Sequence, residues 1–453
     1  TLDSATAFTV FANSAGATVF DGQLALLAMW TGTFVQATEA TNIGVEFRAL
    51  TGGRPQTNTM GRDAAPLNWS RNSVATLQKY NPTTDADEMY SVGPHWPRCE
   101  RWRLADGTTF SGFRSELSRT NLLAYSHVSE GTWTKADAGD TTTATDGPWG
   151  VDTAEGWVAD TTDGSHSRLL ACTTTAAVHA AFVRVKAGVV GWVAIHDPIS
   201  NKGRYYNLAT GALGGIYGGA PTVSYTVDNR NGWWTCVMVW TATAAARNFT
   251  VYPAAADGDA TFAGDGATPS IHFAHAQVEA GNCYSSAIRT SGATAQRLKD
   301  DLGYTITGPA DQGAIVMDVV MGVVVSGEYR FLDLNDGNPG TAANRVMLVK
   351  NVAAGDVGRV TIGSTGSVTG ISEFGTGAAA RIGTTWRPNL LQYYKNGSKE
   401  GTDDLSYTSP SVLDRVSLGC SRFFDTQPPG PTLIRRVRVY RRYQPDMASL
   451  TRL

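Results

Sequence analysis

Gly232 to Thr243, read GWWTCVMVWTAT, decides the fold class. The run is short, rich in aromatic and β-branched residues, opened by glycine and closed by small residues, which is the make-up of a strand bounded by turns. Its neighbours repeat the reading. Before it stand AAFVRVKAG (180–188), GWVAIHD (191–197) and GRYYNLAT (203–210); after it stand RNFTVYPAA (247–255) and SIHFAHAQVEAG (270–281). Apolar residues alternate with small or polar ones, and Gly, Asp or Asn separates the runs. That rhythm belongs to an antiparallel sandwich or jelly roll.

Further along, from about Thr305, the rhythm restarts. GAIVMDVVMGVVV (313–325), YRFLDLND (329–336), NRVMLVKNV (344–352), GRVTIGS (358–364), PNLLQYYKNGSKEG (388–401), DRVSLGCS (414–421) and IRRVRVYRR (434–442) predict a second sandwich. Asn396-Gly397 within it is a two-residue hairpin signal, and Asp106-Gly107 marks another hairpin inside RWRLADGTTFSGF (101–113). Helical spacing is nearly absent, with brief tails at Gln36–Phe47 and Gln444–Leu453. The fold class expected is therefore all-β, with tandem antiparallel β-sandwich domains.

Five units are expected. Residues 1–50 read as the last part of a lectin-like sandwich or an attachment segment, because FDGQLALLAMW (20–30) echoes the strand rhythm of the C-terminal PTLIRRVRVY (431–440). Residues 51–66 are turn-rich and read as a linker, and 67–120 as a hairpin-rich connecting segment. Residues 121–300 form the first sandwich and 301–453 the second. A chain of 453 residues suits about three full domains.

Composition excludes several functions. The net charge of −3 offers no basic face for nucleic acid. No run reaches the roughly 18–20 apolar residues of a membrane span, and no signal-peptide pattern opens the chain, so neither membrane insertion nor Sec export is expected. The chain begins at Thr1 rather than Met, which leads us to expect preceding residues. Cys99, Cys172, Cys236, Cys283 and Cys420 are odd in number and lack a CxxC pair, so they read as reduced core thiols of a protein folded in a reducing compartment.

Two stretches carry a family signature. NWSRNSVATL (68–77), GFRSELSRTNLLAYS (112–126) and GTWTKADA (131–138) resemble the opening of phage head-spike and tail-fibre proteins, which read SRxSxAT, then RTNLLxYS, then a tryptophan. IHFAHAQVEAGNCYSSAIRTSGATAQRLKD (271–300) resembles that family's closing AQxExG and SYIxT motifs. The resemblance covers about Leu67 to Asp300, and the remainder resembles a concanavalin A or laminin G type sandwich. It implies a carbohydrate-binding-like jelly roll over 121–300 and a lectin-like domain after it. It also implies a virion-surface protein, assembled in the host cytoplasm with capsid, tail or fibre partners, commonly as a homotrimer. The usual acidic residue before RTNLL is displaced to Glu116, which leaves the partner of Arg119 open.

Several residues are candidates for chemistry. Glycan binding needs aromatic faces for sugar rings and polar groups for hydroxyls. Trp149 in TDGPWGVD and Trp157 in AEGWVAD lie in polar, glycine-containing surroundings, and one of the adjacent Tyr205 and Tyr206 should face out. Trp133 and Trp234 read as core. Arg436 and Arg438 are expected on one strand face, opposite Val437 and Val439, as a contact to acidic polysaccharide or a neighbouring subunit. Asp333, Asn335 and Asp336 in DLNDGN are oxygen donors expected in a turn, suited either to calcium or to turn hydrogen bonds. No other cofactor is expected. His272 and His275, three apart on a strand, should face opposite sides and so bind no metal together.

No GxSxG elbow, P-loop, dinucleotide fingerprint or HExxH motif occurs, so no enzyme is expected. Asp152, Glu155 and Asp160 are the carboxylates nearest the candidate tryptophans; a capsule depolymerase would use such a pair, but the short repeats of a β-helix are missing. The reading is thus a particle-surface protein that binds bacterial surface polysaccharide, with a structural connector or a depolymerase as the alternatives.

Overall fold

A computed structural model describes residues 68–452 apart from 71–72, 74, 93–97, 105, 128–132, 136–139, 307–309, 323–327, 337–343, 352–358, 363–365, 370–376, 407–408 and 420–431. The expectations for 1–66, including the linker and the helical tail at Gln36–Phe47, lie outside the described residues. The all-β expectation holds: among the described residues the chain is strand throughout, with one short helix, Met447–Leu450. Asp446 caps that helix by accepting from the Ser449 amide at 3.3 Å.

The first sandwich is built of two six-stranded sheets. One runs, in spatial order, Leu213–Ile216, Lys202–Asn207, Trp192–Asp197, Ala245–Ala254, Arg168–Thr174, Thr134–Lys135; the other runs Val223–Asp228, Trp233–Thr241, Val178–Ala187, Ile271–Ala280, Gly150–Val158, Thr141–Gly147. Alternation does the sorting. Val193, Ile195, Tyr206, Phe249 and Val251 of the first sheet point inward onto Val183, Val185, Met238, Trp240 and Phe273 of the second, and these residues form one dry core. Trp133 and Trp234 pack against its margin. Cys172, Cys236 and Cys283 are buried and free of disulfides.

In the second sandwich, a seven-stranded and a nine-stranded sheet enclose a core of Phe331, Leu348, Trp386, Val416, Val437 and their neighbours. The turn at Asn396 and Gly397 takes φ of 49° and 85°, the two left-handed residues of a primed hairpin turn. The hairpin at Asp106-Gly107 also forms, joining Cys99–Arg103 to Thr109–Arg114.

The segment between 67 and 120 supplies strands to both sheets of this second sandwich. Asn68–Ser70 pairs with Asp301–Thr305, and Thr109–Arg114 pairs with Thr432–Tyr440 through Phe113 opposite Ile434. Topologically, the first sandwich is therefore inserted into the second. Where the chain enters and leaves the insertion, Arg119–Asn121 pairs with Ala295–Arg297.

A buried charge network sits at this crossing. Glu116 is paired with Arg98 at 2.7 Å, Arg114 at 2.5 Å and Arg297, while Arg98 also pairs with Asp300. Ser286 donates to Glu116 from its amide (2.9 Å) and hydroxyl (2.6 Å). Burial pushes the Glu116 carboxyl up, but the guanidiniums of Arg114, Arg297 and Arg98 outweigh it and hold it well below the usual carboxylate range. The displaced acid of the signature thus serves these three arginines, while Arg119 donates to the Ser118 carbonyl at 3.2 Å.

Candidate functional site

An aromatic surface covers the outer face of the first sandwich's Trp192-containing sheet. Register settles which residues share it. Ala194 lies opposite both Tyr205 and Tyr252, and Trp192 lies opposite Asn207 and Ala254, so these six point away from the core on the side opposite Val193 and Ile195. Tyr217 joins them because its amide bonds to the Gly203 carbonyl at 3.0 Å, on the edge beyond Tyr205. A Cβ on Gly203 would stand 2.7 Å from the carbonyl oxygens of both Ile195 and Tyr217, so only glycine lets that edge close.

The rings form a continuous floor. Tyr217 stacks on Tyr252 at 5.0 Å with an interplanar angle of 22°, contacts Tyr205 at 5.5 Å, and meets His196 at 4.7 Å. Trp192, Tyr217 and Tyr252 are half-buried; Tyr205, 4% exposed, lies beneath them. Burial pushes the Tyr205 phenol up to about 12 and raises Tyr252, so both stay neutral at physiological pH. Burial pulls the His196 imidazole below its ordinary value, which keeps it uncharged as well. Polar groups rim the floor: Asp259 is exposed, and Asp257 accepts from the Gly215 amide. Flat uncharged rings with hydroxyls at their tips and carboxylates beside them suit a ligand that is apolar on its faces and polar at its edges.

The residues named from sequence fall differently. Trp157 is 2% exposed and donates its indole N–H to Asp140 at 3.1 Å, so it is a core residue and not a stacking platform. Tyr206 is fully buried and donates to the Val237 carbonyl at 2.7 Å; the expectation that one tyrosine of the pair faces out is met by Tyr205 alone, and only as the floor. Trp149 is half-buried, packed against Ala154, Trp233 and Ala274 with Arg184 over its ring. Their polar sequence surroundings misled because Asp140 and Arg184 are internal partners brought from elsewhere in the chain.

Arg436 and Arg438 do not form a plain alternating face. A bulge lies between them and the strand Gly313–Met321, which places Arg435 opposite Asp318 and Arg438 opposite Val316, with Arg436 at φ 53°. Buried Asp318 gathers Arg381 (2.5 Å), Arg435 (3.2 Å) and Arg436 (3.5 Å), so much of this charge is neutralised internally. Asp333 and Asn335 lie in the strand Glu328–Asn335, not in a turn; Asp333 is buried and paired with Arg345 at 2.9 Å, and Asp336 accepts from Asn344 at 3.1 Å. Arg345 makes this an ion-paired strand end.

His272 and His275 also differ from expectation. The register shifts by one residue at Ala274, so His272 lies opposite Lys186 and His275 opposite Arg184, which puts both histidines on the same outer face. Asp140, Asp160 and His166 bring ligand-type atoms within 4.8 Å of one another. Their lone pairs and protons are turned on each other: Asp140 accepts from the Asp160 amide (3.1 Å) and the Trp157 indole, and His166 bridges Asp140 (2.8 Å) and the Phe262 carbonyl (3.0 Å). This is a closed hydrogen-bond group that leaves His166 without a lone pair for a metal.

Sequence reading missed Trp192, Tyr217 and Tyr252. The signal was present in GWVAIHD and FTVYPA, where the outward set follows once Ile195 and Val251 are assigned inward, but the strand pairing that unites them spans long stretches of chain.

No protein-family model matches the sequence, and no curated protein matches it. Among solved structures, the chain is similar to the CBM40 of a Ruminococcus gnavus sialidase bound to α2,3-sialyllactose, with 16% identity over 32% of this chain and 84% of that one, at a TM-score of 0.28. Domain 4 of a GH43 arabinanase from Geobacillus stearothermophilus, in complex with arabinotriose, gives 14% identity over 38% of this chain and 86% of that one, at 0.27. A heptameric pentraxin from Limulus polyphemus gives 11% identity over 34% and 75%, at 0.25. TM-scores of this size assign no function.

Proposed function

We propose that this chain is a surface protein of a tailed-phage or phage-like particle, a head spike or tail fibre, and that its first sandwich binds polysaccharide on the bacterial cell. The observation that carries the binding reading is the half-buried aromatic floor of Trp192, Tyr217 and Tyr252 with its polar rim. The particle reading rests on the SRxSxAT, RTNLL and AQxExG resemblance. Each site binds weakly, and several copies, arranged as a homotrimer, hold firmly because later contacts become local once the first has formed. Binding without cleavage is favoured because Glu155, one of the carboxylates near the candidate tryptophans in sequence, is 7% exposed.

Glycan-array binding and whole-cell adsorption by the purified multimer test the proposal, with Trp192→Ala as the control. Binding lost in that variant supports it. Absence of binding by the unaltered protein favours the second reading, a connector that never meets the host. The buried Arg98, Glu116, Asp300 and Arg297 crossing, which ties the insertion to the second sandwich, is what a load-transmitting connector requires.

A further inference from the structure

The rim of the aromatic floor carries charge of one sign. At its Trp192 end the edge strand Leu213–Ile216 contains Gly214 and Gly215, and a Cβ on Gly214 would stand 2.6 Å from the Trp192 ring and closer still to Asp257 Oδ1. Indole and carboxylate therefore meet over one spot of that strand, which glycine leaves clear. Asp257 is fixed there by accepting from the Gly215 amide and by a tight turn in which Ala256 and Asp259 bond to each other's backbone (3.2 and 3.4 Å) and Gly258 takes a φ of 82°. Asp259, from the same turn, accepts from the Thr261 hydroxyl (2.7 Å) and amide (3.0 Å), bonds that hold its carboxyl below its ordinary value. Burial leads the causes that raise the Tyr205 phenol, and the charges of Asp259 and Asp257 add to it, so both carboxylates act on the floor.

The sheet supplies no cation to answer them. Lys202 and Arg204 alternate with Gly203 and Tyr205, and so project from the opposite face. Arg247 is enclosed and paired with Asp197, while Arg168 lies opposite the inward Val251 and Lys135 lies opposite Arg168. His196 is the one basic side chain on the floor's own face, and burial keeps its imidazole uncharged. Among the described residues of these six strands, the outer face thus presents no positive charge.

Charge then decides the ligand class. A carboxylate has about four lone-pair positions. Asp257 commits one to Gly215 and Asp259 two to Thr261, so each can accept further bonds from sugar hydroxyls, and an ionised acceptor makes the stronger bond. A uronic or sialic acid would instead bring a third negative charge against these two with nothing to offset it. Building on the polysaccharide-binding reading above, we propose that the site takes neutral sugar units and rejects acidic ones, with hydroxyls donating to Asp257 and Asp259 while the sugar ring lies against Trp192.

An array of bacterial polysaccharides, spanning neutral polymers and polymers that bear uronate or sialate, tests this with the purified multimer; Trp192→Ala identifies the binding that belongs to the floor. The expected result is Trp192-dependent binding to neutral polymers, about tenfold or more tighter than to any acidic one and little changed by salt, since an uncharged ligand leaves nothing to screen. Asp257→Asn keeps an oxygen for the Gly215 amide and removes the charge, so its melting temperature should match the parent's while affinity for the neutral polymer falls by about fivefold. Trp192-dependent binding of acidic polymers as tight as that of neutral ones, or Asp257→Asn affinity equal to the parent's, overturns the assignment and leaves polysaccharide binding standing. Absence of Trp192-dependent binding to every polymer removes the polysaccharide reading itself, and the assignment with it.

Discussion

Arg98 and Glu116 lie 2.7 Å apart with both side chains enclosed, at the point where the chain passes from the second sandwich into the inserted one. Opposite charges at that depth are tolerated only because Asp300, Arg114, Arg297 and Ser286 complete the network around them. Removing one member strands the others.

Glu116→Gln is accordingly expected to destabilise the chain by about 3–5 kcal/mol, the usual cost of leaving buried cations without their anion. Urea denaturation at neutral pH measures it. Because the folded Glu116 titrates well below the ordinary carboxylate value of 4.5, its contribution is complete above that pH and fades as acid protonates the folded carboxyl. The variant's stability should therefore change less than that of the unaltered protein between pH 5 and lower values.

His166 gives the opposite slope. Both of its ring nitrogens face acceptors, so both must carry protons; burial opposes the charge, but the Asp140 carboxylate and Phe262 carbonyl outweigh it and raise the imidazole above 6.5. Stability from this group is full below pH 6.5 and is lost as pH rises through the raised folded value. An NMR titration of His166 should show the upward shift, and His166→Gln should flatten the decline in melting temperature above neutrality.

Trp157→Phe separates packing from binding. Losing the indole donor leaves an Asp140 oxygen short of a partner, which costs about 1–3 kcal/mol. Glycan affinity should remain within twofold of the parent, since the ring is on the inner side of the sheet. A binding loss without a stability loss would return Trp157 to the ligand surface.

Gly203→Ala lowers both. Its new methyl would press on two backbone carbonyls at 2.7 Å and push the Tyr217 edge outward, costing about 1–3 kcal/mol in folding. The same shift unstacks Tyr217 from Tyr252, so affinity for polysaccharide should fall by about tenfold, equivalent to about 1.4 kcal/mol. Isothermal titration with a bound glycan and a melting curve read the two effects separately.

Much of the fold was legible because strand rhythm is local. GWWTCVMVWTAT became the strand Trp233–Thr241, and Asn396-Gly397 became the primed turn between Leu390–Lys395 and Ser398–Asp404. What was hidden depends on partners distant in sequence. Asn68 lies opposite Gly303, and no local pattern announces that a segment closes the sheet of a domain more than two hundred residues onward. Bulges were equally silent: one extra residue at Ala274 moves His275 to the face of His272, and another near Arg436 redirects the arginine ridge onto Asp318. At the candidate site, polar neighbours in sequence suggested exposure for Trp149 and Trp157, whereas Trp192 and Tyr252 of the aromatic floor sit in runs that look like ordinary core strands.

Binding of the purified multimer to cell-surface polysaccharide, compared with a triple variant Trp192→Ala, Tyr217→Ala and Tyr252→Ala, is the most direct measurement. The account predicts saturable adsorption by the parent and at least a hundredfold loss in the variant, with the β-sheet spectrum and oligomeric state unchanged. Equal adsorption by both proteins, or none by the parent on any surface polysaccharide, would contradict it.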